Sequence, residues 1–125
     1  KNSSRIVYHG KYPRVLPSKA FCDYEKDSLK QLQFFRKRAY VSGPVIVRCR
    51  YYMPNERSWP DLVGLLQATS DILTAAKIID DDMWIVNYDG SKIVGVDKYN
   101  PRTEIEIIKA KEHHILHDIW GRRNK

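Results

Sequence analysis

The sequence predicts an α+β domain: a mixed β-sheet with helices packed on it. Three observations predict it. A nine-residue run, Val45–Met53, alternates apolar and cationic side chains, the pattern of a strand with one buried face. Two longer segments carry apolar residues at helical spacing. Several short strand-like runs follow the second helix, giving the order β(β)αβαβββα. At 125 residues the chain suits one domain with a core of its own.

Residues 1–17 are basic and punctuated by Gly10, Pro13 and Pro17. Arg5–Tyr8 and Arg14–Leu16 read as short strands around the turn His9-Gly10-Lys11. Ser18 suits the N-cap of a helix reaching about Tyr40, with Phe21, Tyr24, Leu29, Leu32 and Phe35 on one face. Arg36, Lys37 and Arg38 complement the negative end of that helix. Ser42-Gly43-Pro44 breaks the chain before the strand 45–53. On that strand Val45, Val47, Cys49 and Tyr51 face one way, and Arg48 and Arg50 the other.

The second helix is expected from about Pro60 to Lys77, with Pro60 at its first position and Asp61 in its first turn. Its buried stripe is Leu62, Leu65, Leu66, Thr69, Leu73 and Ala76. Asp80–Asp82 form a turn. Strands are expected at Met83–Asp89, Lys92–Val96 and Thr103–Ile108, a helix at 109–120, and a loose tail from Gly121.

The net charge of +7 is unevenly spread. Residues 1–58 hold 13 Lys/Arg against 4 Asp/Glu, and residues 59–125 hold 9 against 11. The first half therefore suits a phosphate-facing surface, although basic surfaces also serve solubility. No apolar run approaches the roughly 20 residues of a membrane span. No signal peptide is visible, and a cytoplasmic, nucleoid-associated location is expected. Cys22 and Cys49 lack metal-type spacing and suit two buried reduced thiols, with a disulfide as the alternative.

The acids of the second half fall around one helix. Asp61 opens it, Asp71 lies in its middle, and Asp80, Asp81 and Asp82 follow it. A helix-start carboxylate complements the dipole, and three consecutive acids can be a solvated turn. Hard divalent ions, however, prefer carboxylate oxygens with waters and substrate phosphate completing the shell. The two helix ends lie on the order of 25 Å apart if the helix is straight, so one ion joins them only if the chain doubles back or a partner subunit contributes. Asp71 suits a polar contact at a helix or subunit boundary.

The stretch P-D-L-V-G-L-L-Q-A-T-S-D-I-L, then I-I-D-D-D and a strand, resembles the RusA-type Holliday junction resolvases, which are common in phages and prophages. Their signature is D-L-D-N-L-x-K on a helix, with a D-D turn about 20 residues after the first Asp. K-N-S-S-R and P-R-V-L-P-S-K-A-F-C-D-Y-E-K resemble the family's basic loop and first helix, and R-T-E-I-E-I its last strand. The resemblance spans residues 1–108 as one domain, leaving 109–125 as a C-terminal helix and basic tail.

The resemblance implies a homodimer acting on four-way or branched DNA in recombination and repair. It implies a cofactor of Mg²⁺, with Mn²⁺ as a substitute, and metal-assisted phosphodiester hydrolysis. Asp61 and Asp82 match the catalytic, metal-binding carboxylates, with Asp81 beside them. The second motif acid falls on Val63, the Asn on Gly64 and the Lys on Gln67, so one acid and one cation are missing. This departure opens a second reading, a relative that binds branched DNA, or serves as a dimeric structural module, without efficient cleavage. Asp80 and Lys92 are the candidate substitutes. The family's N-terminal strand is expected to be missing here, which leaves a sheet edge open to pairing.

The expected DNA contacts are Lys1, Arg5, Lys11, Arg14, Lys19, Arg48, Arg50 and Arg57. Tyr8, Tyr12, Tyr24, Tyr40, Tyr51 and Tyr52 interleave with these cations and suit base stacking or the core. His113 and His117 are spaced for a shared helix face, with His114 adjoining; ordinary surface histidines are the alternative to a metal site.

Overall fold

A computed structural model describes residues 2–10, 19–57, 59–111 and 115–124. Its elements, in chain order, are strand β1 (Ser3–His9), helices α1 (Lys19–Phe34) and α2 (Arg36–Ala39), strand β2 (Val45–Met53) and helix α3 (Leu62–Ala75). A 3₁₀ turn (Asp82–Trp84) follows, then β3 (Ile85–Asn87), β4 (Lys92–Val96), β5 (Arg102–Lys109) and helix α4 (Ile115–Arg123). The architecture is α+β with a mixed five-stranded sheet.

β2 is the hub of that sheet. β5 pairs antiparallel along one side of it and carries β1, also antiparallel, at the edge. β3 and β4 both pair parallel with the other side of β2, β3 at Val45–Ile46 and β4 at Arg50–Met53. They therefore follow one another along one edge, interrupted at the turn around Gly90, where φ is +84°. The run Met83–Asp89, expected as one strand, begins instead as the 3₁₀ turn, because Asp81 caps it.

Alternation sets the layers. Val45, Val47, Cys49, Tyr51 and Met53 of β2 are buried, as are Ile6 and Tyr8 of β1 and Ile105 and Ile107 of β5. They pack with Tyr24 and Leu32 of α1 and Leu65, Ala68, Ile72 and Leu73 of α3. A buried hydroxyl chain threads this core: Tyr51 Oη lies 2.7 Å from Thr69 Oγ1, and Tyr8 Oη 2.8 Å from Tyr24 Oη. Burial raises the pKa of both Tyr8 and Tyr51, so these phenols stay neutral donors.

Several boundaries differ from expectation. The first helix breaks at Phe35 into α1 and α2. Ser18 and the strand expected at 14–16 lie outside the described residues. The strand expected at Arg5–Tyr8 is longer, Ser3–His9, and lies at a sheet edge, so Ser3–Arg5 belong to a strand rather than to the basic loop that the resemblance implied. α4 starts later than expected and continues through Gly121 to Arg123. Cys49 is buried and its thiol is pushed up to about 12 by that burial, but Cys22 is exposed, and both are free. No helix among the described residues is long and apolar enough to cross a membrane.

α3 ends tightly. Lys77 adopts a left-handed φ of 58°, its N–H donates to Thr74 O, and Ile78 N–H reaches back to Leu73 O at 3.1 Å. This is a Schellman closure with a lysine in the position that favours glycine. It reverses the chain so that Ile78 and Ile79 are buried and Asp80–Asp82 emerge beside the helix.

Candidate functional site

Asp61 is the N-cap of α3, and Pro60 lies before the helix rather than at its first position. The Asp61 carboxylate accepts from Gly64 N–H at 3.1 Å. A Cβ on residue 64 would lie 2.6 Å from Asp61 Oδ1, so the glycine admits this cap. An Asp at this position satisfies an otherwise unpaired helix N–H. Val63, beside it, is 76% exposed and offers no ligand atom.

The three acids after α3 have different environments. Asp80 is tied into the scaffold: its Oδ2 accepts from Gly43 N–H at 2.7 Å and its Oδ1 from Tyr40 Oη at 2.5 Å. Burial, and then the Asp80 contact, push the Tyr40 hydroxyl up to about 12, so it serves as a donor. Gly43 has a φ of +72° and lies under the Trp120 ring of α4, 3.2 Å from where a Cβ would stand. Neither constraint tolerates a side chain there.

Asp81 caps the 3₁₀ turn, accepting from Met83 N–H at 3.2 Å. Asp81 and Asp82 also share a hydrogen bond, which raises the Asp82 pKa and lowers that of Asp81. The charge of Asp71 raises Asp82 further. Arg123 of α4 lies 3.5 Å from Met83 Sδ, stands 5.8 Å over the Trp84 ring, and helps to lower the Asp81 pKa.

Asp71 is thus nearer the acidic turn in effect than Asp61 is. It stands on α3 beside the α1–α3 groove and accepts from the Gln67 amide at 3.2 Å. Beyond the polar contact expected of it, Asp71 places its charge near Asp82 and Tyr88 and raises the pKa of both. The period of the helix offered the signal, since Asp71 sits nearer the C-terminal end than Asp61.

Two adjacent carboxylates can serve a divalent cation as oxygen ligands, with waters completing the shell. Asp81 and Asp82 fit such a site. Asp61, engaged at the opposite end of a helix roughly 20 Å long, does not join them within this chain. Among the described residues no three His, Cys, Asp or Glu side chains gather into a metal-holding group.

The cations expected to contact DNA divide by their partners. The face of the sheet opposite α1 and α3 carries a ladder in which Glu106 accepts from Arg5 at 3.1 Å and Arg48 at 2.5 Å. Arg48 also drapes over Gly90 and donates to Asp89 O at 3.0 Å. Both arginines therefore have a carboxylate partner, although Arg5 stays 84% exposed, and Arg102 is paired with Asp97 and Glu104 and stacked 3.7 Å over Tyr52. Arg50 lies next to Glu104 and Lys92 in register, without an ion pair among the described residues. Lys92 is placed on β4, so it neighbours Arg50 rather than Gln67. Lys19 and Arg57 are exposed.

Lys1, Lys11, Arg14, Tyr12, His113 and His114 lie outside the described residues. His117 Nε2 donates to Ala110 O at 2.7 Å, a contact that ties α4 to the end of β5. Tyr8, Tyr24 and Tyr51 belong to the core rather than to a stacking surface. No protein-family model matches the chain, and no curated protein matches it in sequence.

Proposed function

We propose that the chain is a RusA-like protein of branched DNA: a homodimer that engages Holliday junctions and hydrolyses phosphodiesters with Mg²⁺ or Mn²⁺. The observation that carries this reading is the layout of Asp61 capping α3 and the Asp81–Asp82 pair in the turn between α3 and β3. The excess of cations over acids in residues 1–58 supports a phosphate ligand. Asp81 and Asp82 would hold the divalent ion, which would supply polarisation of phosphate and orientation of water. The chain's own part is to hold Asp81 in place through Met83 N–H and to anchor the turn through Asp80.

A second reading is binding of branched DNA without efficient cutting. It is favoured by Val63 and Gln67, which remove an acid and a cation, and by the separation of Asp61 from the Asp81–Asp82 pair. Incubating the protein with end-labelled four-way junctions and Mg²⁺ or Mn²⁺ separates the two. Paired symmetric nicks that vanish in Asp82→Asn support hydrolysis. Junction binding without nicks supports the second reading.

A further inference from the structure

The helix break at Phe35 builds a cationic knuckle tied to the acidic turn. α1 stops at Phe34, and Phe35 leaves helical geometry (φ −103°, ψ 6°) before α2 begins. Phe35 packs against the core, whereas Phe34 is 83% exposed. The two rings meet edge to face at 5.3 Å, so the outer ring stands on a fixed base. Arg36, Lys37 and Arg38 follow, all exposed and none paired with a carboxylate among the described residues. Phe34, these three cations and Tyr40 line one open depression, and Tyr40 bonds to Asp80.

We infer that this depression binds an unpaired stretch of nucleic acid, with its phosphates on Arg36, Lys37 and Arg38 and a base stacked on Phe34. Cations beside an exposed aromatic face are the combination that tracks a single strand: charge follows the backbone, and the ring accepts any base. Guanidinium groups suit phosphate oxygens through paired donors. An acidic polypeptide would answer the charges but leave the exposed ring without a role. The inference rests on the nucleic-acid part of the proposed function and not on cleavage.

The test is fluorescence anisotropy of the full chain with a labelled oligothymidine and a linear duplex. Phe34→Ala is expected to weaken oligothymidine binding about tenfold, in line with the loss of one stacked base, and to change duplex binding by less than about twofold. Phe34→Tyr restores it. Replacing Arg36, Lys37 and Arg38 together by Ala is expected to weaken both ligands and to flatten the slope of log K against log salt by roughly two. Phe34 is exposed, so a thermal melt of Phe34→Ala should match the parent.

The inference is overturned if the parent chain does not bind oligothymidine, or if Phe34→Ala and the triple variant bind as it does. Equal displacement by poly-glutamate and by unlabelled oligothymidine also overturns it, in favour of an acidic protein partner. Knuckle-dependent binding without junction nicks leaves this inference standing and removes hydrolysis. Nicks with binding indifferent to the knuckle do the reverse.

Discussion

The two faces of β2 are built from alternate residues of one strand and do different work. The inner face, Val45, Val47, Cys49, Tyr51 and Met53, is closed by α1 and α3. The outer face, Arg48, Arg50 and Tyr52, has no helix over it among the described residues and is organised by ion pairs with β5. Burial makes the inner face the source of stability. The outer face holds charges in register at modest net gain, since partly exposed pairs contribute little beyond their neighbours. A region can therefore look ordered and basic while its cations are already spent, and Arg50 differs from Arg48 for that reason.

This contrast predicts a graded set of effects. Leu73→Ala empties a fully buried site between α3 and the sheet, and is expected to cost about 2–5 kcal/mol in chemical denaturation. A cost within the range of surface substitutions would mean that α3 does not pack as described. Tyr51→Phe leaves the ring but removes a hydroxyl bonded to Thr69 and to Leu65 O, and should cost about 1–2 kcal/mol.

On the outer face, Glu106→Gln is expected to cost about 1 kcal/mol at neutral pH. Burial raises the Glu106 pKa, but Arg48 and Arg5 outweigh it and leave the group below the usual glutamate range. A depressed folded pKa means that the contribution is complete above the unfolded value and fades as pH falls through the folded one. The parent should thus lose stability relative to Glu106→Gln on acidification below the ordinary glutamate range. Parallel pH curves for the two proteins would show that the ladder is not electrostatic.

The smallest expected effect has the opposite sign. Lys77→Gly relieves a left-handed backbone and should stabilise the chain by about 0.5–1 kcal/mol, read as a raised midpoint in the same titration.

Alternation made β2 legible to the residue, since period-two burial leaves few alternatives at a central strand. The α3 stripe was also legible, because Leu65, Thr69, Leu73 and Ala76 fall at helical spacing and all are buried. Local chemistry misled elsewhere. Arg36–Ala39 contains good helix formers and no Gly or Pro, so the break at Phe35 left no local mark. The closure at Lys77 lacks the expected glycine. β3 and β4 sharing one side of β2 is a long-range pairing that local pattern does not encode.

The candidate site was legible as a set of acids and not as an arrangement. Spacing along the chain showed that Asp61 and Asp82 lie at opposite ends of α3. It did not show that Asp81 and Asp82 shift one another's pKa in opposite directions, that Asp80 is held by Tyr40 and Gly43, or that Asp71 is the helix acid whose charge reaches Asp82. Those outcomes depend on how the chain leaves the helix at Lys77 and where Tyr40 and Gly43 stand.

The most direct test of the central claim is competitive binding of a labelled four-way junction against excess linear duplex of the same sequence, repeated across a salt series. The account predicts that the junction complex survives duplex competition while both affinities fall as salt rises, because charge supplies the general term and shape the specific one. Equal affinity for junction and duplex at low salt would contradict it.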